Sequence, residues 1–128
     1  MDINIQKKLR VYIAASYPRY NEAHELGIKL EEMGFEVISY WHQGEEKIAN
    51  YKSAQRAMGD LFAIQQCDLF IELIGDEESK GGRHCELGMA LAWNMKIILI
   101  GDEDYCIFTH LPWLPRMKNV KEFLKKII

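Results

Sequence analysis

Asp68-Leu69-Phe70-Ile71-Glu72-Leu73-Ile74, an acidic loop at 75–80, and then Gly81-Gly82-Arg83-His84-Cys85-Glu86-Leu87-Gly88 ahead of Met89-Ala90-Leu91-Ala92-Trp93 decide the fold. A short apolar run of strand formers, a loop, and a segment that is apolar nearly all round read as a strand, a crossover loop and a well-covered helix. The helix is expected over residues 84–94, and the two glycines before it leave backbone amides free at its start. Glu86 then falls in the first turn, where the helix dipole favours a carboxylate. Held ionised there, Glu86 is a candidate nucleophile. A first-turn glutamate is also ordinary helix-stabilising chemistry, so the remaining chain has to separate the two readings.

Outward from this stretch, strand and helix alternate. Residues 9–15 form a mostly apolar run that reads as β1, broken by Ser16-Tyr17-Pro18. Ala23, Leu26, Leu30 and Met33 recur at helical spacing, and Gly34 stands where a helix stop belongs. Residues 35–41 read as β2, followed by the polar loop His42-Gln43-Gly44. From about residue 46 to 66 the pattern is helical, with Tyr51, Ala54, Met58, Leu61 and Phe62 in one stripe and Asp60 at its border. Residues 96–101 are a fourth strand, the aromatic region up to Met117 is irregular or holds a short fifth, and Val120, Phe123, Leu124 and Ile127 mark a closing amphipathic helix. Such alternation implies a doubly wound parallel sheet of about five strands with helices on both faces. Ligands bind such sheets beyond the carboxyl ends of the strands, so the loops at 16–20, 41–44, 75–83 and 101–104 surround one crevice.

The 128 residues, taken as a single domain spanning 1–128, suffice for one core and not for two. With 48% hydrophobic and 27% charged residues the chain has ordinary globular usage, and its net charge of -3 gives no reason to expect a nucleic-acid polymer or an anionic membrane as partner. Cys67, Cys85 and Cys106 have neither disulfide nor metal spacing, and neither a signal-peptide pattern nor a membrane-length apolar run is present. A reducing cytoplasm is the expected compartment. The β1 loop has no glycine, which excludes the dinucleotide fingerprint and the phosphate-cradling P-loop, and no Gly-x-Ser-x-Gly elbow occurs. Cys85 at a helix start beside His84 invites a thiolate reading, but neighbouring helical residues point about 100° apart. A buried structural cysteine is the plainer reading. No ligand spacing supports a metal.

What remains is Glu86 with Asp60. Two carboxylates at a crevice can run retaining glycoside-type chemistry when they lie about 5 Å apart. Tyr12-Ile13-Ala14, Trp41, Asp60, Cys67-Asp68, the stretch Gly81 to Ala92 and Phe108-Thr109-His110-Leu111-Pro112 together resemble the nucleoside 2-deoxyribosyltransferase family and its relatives that hydrolyse deoxynucleoside 5′-monophosphates. The Gly-Gly-Arg-His-x-Glu-Leu-Gly core is the most specific part. The resemblance implies a flavodoxin-like sheet and a two-step, retaining cleavage of the bond between a nucleobase and 2-deoxyribose, with no cofactor. In that scheme Glu86 attacks C1′ to give a deoxyribosyl-enzyme, Asp60 positions substrate and moves a proton, and a tyrosine of the β1 region holds the glutamate. Of Tyr12 and Tyr17, the loop residue Tyr17 is the expected holder. Tyr12, Ser16, Arg19, Trp41, Gly82, Arg83 and His84 are then the candidate substrate-binding residues.

Departures from the family pattern matter. Transferases of the family commonly carry a further aspartate before the nucleophile, where this chain has Ser79-Lys80-Gly81, and the glycine-rich basic β1 loop of the monophosphate hydrolases is missing. Lys80 and Arg83 beside free amides would suit an anionic group such as a phosphate. Trp41 either caps the sheet or stacks on a base, Asp68 reads as a turn residue, and His84 and His110 also read as structural hydrogen-bonders. The expected partners are a deoxynucleoside or deoxynucleotide and a free nucleobase. A non-catalytic nucleotide-binding module of the same fold is the alternative from another class. The apolar helix and the aromatic segment 108–113 lead us to expect a homo-oligomer.

Overall fold

β1 (Arg10–Ala14) is an inner strand of the sheet, buried from Val11 onward. In the computed structural model, which describes residues 8–43, 53–75, 82–102 and 106–127, it lies between β2 (Glu36–Val37) and β3 (Leu69–Leu73). Beyond β3 come β4 (Ile97–Ile100) and β5 (Arg116–Met117). Every pairing is parallel, and the order β2-β1-β3-β4-β5 is the flavodoxin-like one. Its direction of winding reverses between β1 and β3, which puts the ligand crevice above those two strands.

The expected layers are present. Along β1, Val11 and Ile13 join Ala23, Leu26 and Leu30 of α1 (Tyr20–Glu32) and Phe123 of α4 (Val120–Lys126) on one face. Tyr12 and Ala14 join Ile64 of α2 (Ser53–Gln66) and Leu87 and Ala90 of α3 (Gly82–Ala92) on the other. Strands covered on both sides read as continuous apolar runs, which is why β1, β3 and β4 were legible from composition. Each fully buried Leu, Ile or Phe in these layers contributes about 1.5–3 kcal/mol.

Helix ends follow local chemistry. α1 stops where Gly34 takes φ 99°, and the Gly34 and Phe35 amides return to the Glu31 and Leu30 carbonyls at 3.0 Å. α3 stops before Asn94, at φ 53°, with the Met95 amide on the Ala90 carbonyl. It therefore runs over 82–92 where the sequence suggested 84–94. The expected beginning of α2 near residue 46, the loop residues Gly44 and 76–80 with Lys80, Gly81 and residues 103–105 lie outside the described residues. Among the described residues no helix is long and apolar enough to cross a membrane.

β2 departs most from expectation, since residues 35–41 yield a strand only at Glu36–Val37. The reason is a change of partner, not a loss of pairing. The Ile38 amide still donates to the Val11 carbonyl, but the next β1 amide, Ile13, donates to Ser39 Oγ at 3.0 Å, and Trp41 Nε1 donates to the Ile13 carbonyl at 2.7 Å. Side chains thus continue the ladder. Ser39 Oγ also lies 2.6 Å from His42 Nε2, and burial holds that imidazole neutral by lowering its pKa to about 4. Because Ser39 is fully buried, Ser39→Ala leaves the Ile13 amide without an acceptor. We expect a loss of about 1–3 kcal/mol in urea unfolding, with the m-value unchanged.

Candidate active site

Above the β1–β3 switch point three acidic groups converge from three elements. Tyr12 rises from β1 with its ring buried and stacked on Phe70 of β3, centroids 5.7 Å apart at 3°. Its hydroxyl donates a hydrogen bond to Glu86 Oε2 on α3. Asp60, on α2, is the third member, near enough for its charge to act on both Tyr12 and Glu86. The strand's alternation places Tyr12 on the α2/α3 face, and α3 offers Glu86 beside its buried stripe of Arg83, Leu87 and Ala90.

Two expectations change here. The glutamate is held by Tyr12 and not by Tyr17, which sits 59% exposed on the short 3-10 turn Tyr17–Arg19 and packs against Tyr20. Glu86 is also not in a first turn: α3 begins at Gly82, so Glu86 is its fifth residue and the first turn holds no acid. The dipole falls off within one turn, so it does little to keep this carboxylate ionised. Burial instead pushes the Glu86 carboxyl up to about 8, the hydrogen bond from Tyr12 opposes that rise, and the Asp60 charge adds to it. Asp60 is raised in turn by burial, against the pull of Arg56 and of the Tyr12 hydroxyl. Burial, then Glu86 and Asp60, carry the Tyr12 phenol well above its usual range. Like charges packed this closely share protons, and the pair titrates as a unit.

The other candidates occupy varied places. Trp41 lines a cavity of about 330 Å³ with Tyr40, Arg56, Met58, Asp60 and Phe62, so it shares that cavity with Asp60, and its indole N–H completes the β1 ladder. Ser16 is buried and its carbonyl accepts from the Arg19 amide. Arg19 bonds the Ile74 carbonyl at 3.0 Å and pairs with Glu22, tying the β1 loop to the end of β3. Gly82 opens α3 and is exposed, and His84 is half-buried with no hydrogen-bond partner for Nδ1 among the described residues. Arg83 does not face the crevice as a free anion binder: it is 2% exposed and lies 3.6 Å from Glu72, itself fully buried on β3. Glu72 was not picked out from the sequence, although a glutamate inside an apolar strand is a visible signal. Asp68 accepts from the Arg10 amide at 2.8 Å at the opposite end of the strands, as a turn residue does. Cys85 is exposed and Cys67 buried, both as free thiols.

The flavodoxin-like sheet thus presents a tyrosine and two carboxylates at its switch point. Among solved structures the chain is similar to the CMP N-glycosidase BcmB of Clostridium botulinum, at 31% identity over 92% of this chain and 97% of that one, with a TM-score of 0.67. It shares the fold of a 2-deoxyribosyltransferase from Bacillus psychrosaccharolyticus, at 18% identity over 89% of each chain and a TM-score of 0.66. A conserved protein from Enterococcus faecalis V583 has the same fold at 15% identity over 94% and 99% of the chains, with a TM-score of 0.65. No protein-family model and no curated protein matches the chain. The chain belongs to the nucleoside 2-deoxyribosyltransferase-like family.

Tyr12→Phe removes the one contact that lowers the Glu86 pKa. In the variant, carbon-13 NMR of labelled glutamate carboxyls is expected to show Glu86 titrating above its value of about 8. A titration unchanged or lowered would contradict the role given to this bond.

Proposed function

We propose that the protein breaks the N-glycosidic bond of a nucleoside or nucleotide by double displacement through Glu86. The observation that carries this reading is the convergence of Glu86, Asp60 and Tyr12 above the switch point. An ionised Glu86 oxygen bonds to C1′ as the C1′–N bond breaks, and the base leaves with the electron pair and takes a proton from Asp60. Water then attacks C1′, returns a proton to Asp60 and releases Glu86. A second nucleobase in place of water makes the same step a transfer. The working form carries one proton, on Asp60, with the charge drawn to Glu86 by the Tyr12 hydroxyl. The sugar expected is 2-deoxyribose, and Trp41 with the apolar wall of Met58 and Phe62 is suited to stack on the base.

A nucleoside 5′-monophosphate undergoing hydrolysis is the second reading. The 31% identity to a CMP N-glycosidase over nearly the whole chain favours it.

Incubation with each deoxynucleoside, nucleotide and deoxynucleotide, with and without a second base, separates these outcomes by chromatography. Free base and sugar mean hydrolysis, and a new nucleoside means transfer. Glu86→Ala is expected to lose about 10³-fold or more in kcat, and Asp60→Asn about 10²- to 10⁴-fold. Full activity in Glu86→Ala, or no turnover of any substrate by the unaltered protein, would overturn the proposal.

The pH–rate profile is expected to be bell-shaped, because the one-proton form exists only between the two ionisations of the pair. Its alkaline limb belongs near 8, the value to which burial carries Glu86. In Asp60→Asn the residual activity should lose that limb and need less base to reach its plateau, since the charge that raises Glu86 is gone.

Assembly of copies is part of the same proposal. Met58 and Phe62 on α2 are more than half exposed, as are Ile107, Phe108 and Trp113 on the far side of the sheet order. Burial of such surfaces between copies is the ordinary way to cover them. Light scattering at micromolar concentration should give a dimer or a larger species, and a monomer would count against it.

A further inference from the structure

α3 turns three residues to the sheet, Arg83, Leu87 and Ala90, at the spacing of one helical stripe, and all three are buried. Two are apolar. The first is a guanidinium, standing where a core helix ordinarily carries another leucine. Opposite it, β3 sends Phe70 and then Glu72 toward the same layer, since residues two apart on a strand share a face. Arg83 Nη1 and Glu72 Oε2 lie 3.6 Å apart, with the side chains 1% and 0% exposed.

A pair buried this deeply gives little stability over a well-packed apolar pair, because removing both charges from water offsets most of their attraction. What it does supply is position. An apolar contact tolerates sliding, whereas drawing these two buried opposite charges apart from their 3.6 Å separation is costly, so the ion pair limits how far α3 can move from β3. The neighbourhood shows what is being held. Glu86 follows Arg83 by three residues, so the two lie on adjoining turns of one helix side. In the β1–β3 register Tyr12 pairs with Phe70 and Ala14 with Glu72, so Tyr12 and Glu72 are diagonal neighbours on the same face of adjacent strands. α3 is thereby fastened at two points, Arg83 to β3 and Glu86 to β1. One fastening would leave the helix free to turn about it. Two fix its height and rotation.

We propose that Glu72 and Arg83 are a positioning pair that sets where Glu86 stands over the β1–β3 switch point. The inference rests on the reading of Glu86 as nucleophile for its effect on turnover, but not for its effect on the Tyr12–Glu86 contact. Neither residue touches substrate in this scheme; both act through the helix that carries Glu86.

The test is the double variant Glu72→Leu/Arg83→Met, which replaces the pair by apolar side chains of similar size, compared with the unaltered protein. Its thermal midpoint should equal or exceed that of the unaltered protein, as expected when a buried ion pair is exchanged for apolar packing. KM should stay within about twofold while kcat falls at least about tenfold, because a displaced nucleophile loses attack geometry without losing substrate contacts. A second readout needs no turnover. The groups facing Glu86 are the Tyr12 hydroxyl from β1 and the Asp60 carboxyl from α2, and neither is altered in the double variant. With α3 displaced the Tyr12 bond is lost, and the labelled Glu86 carboxyl should titrate above about 8, toward its value in Tyr12→Phe. A folded double variant with unchanged Glu86 titration overturns the positioning pair whatever its turnover. A shifted titration with unchanged kcat upholds the pair and removes Glu86 from the chemistry instead. Should the double variant fail to fold, Glu72→Gln/Arg83→Gln removes both charges together, and the same upward movement of the Glu86 titration is required of it.

Discussion

A single hydroxyl sits between the two halves of the site. Tyr12 belongs to a strand buried along nearly its whole length, and its hydrogen bond to Glu86 joins that strand to the helix crossing over it. Remove the ring from this place and Phe70 loses its stacking partner, Glu86 loses the donor that opposes its neutralisation, and Asp60 loses the group it shares with Glu86. The strength of the contact comes from its surroundings. In a water-poor layer an ionised acceptor and a phenol interact far more strongly than they would at the surface, and the same lack of water makes the free charge costly. The site therefore favours the protonated forms of its acids, with the Tyr12 hydrogen bond as the counterweight at Glu86.

The sheet was legible from the chain because strands covered on both faces must be apolar throughout, and β1, β3 and β4 are. β2 is shorter than its strand propensity predicts for a physical reason: a serine hydroxyl and an indole N–H satisfy the Ile13 peptide as well as backbone groups do, and strand propensity does not distinguish the two. Glu86 and Asp60 could be named because carboxylates beside an apolar stripe are conspicuous. Which tyrosine reaches Glu86 could not, since alternation gives β1 two faces without saying which one α3 covers. The placement of Arg83 had the same origin. Its spacing to Leu87 and Ala90 was visible, yet an arginine at the rim and an arginine turned inward have the same spacing, and only its partner Glu72 decides.

The start of α3 shows how a small shift in an element changes the chemistry assigned to it. Moving the helix start from residue 84 to Gly82 carries Glu86 out of the first turn. The macrodipole then ceases to be the reason for an ionised carboxylate. Only the hydrogen bond from Tyr12 then favours the charged form, against burial and the neighbouring Asp60.

Both outer strands, β2 and β5, have only two residues in the ladder. An exposed strand edge is a template on which another chain can add itself, and edges this short present almost no unpaired row of amides and carbonyls. On the β2 side the next peptide group of β1 is already occupied by Ser39 and Trp41. Among the described residues, the β1 edge beyond β2 thus offers little to an added strand. Side chains, more than strand length, take up the hydrogen-bonding capacity of β1 there.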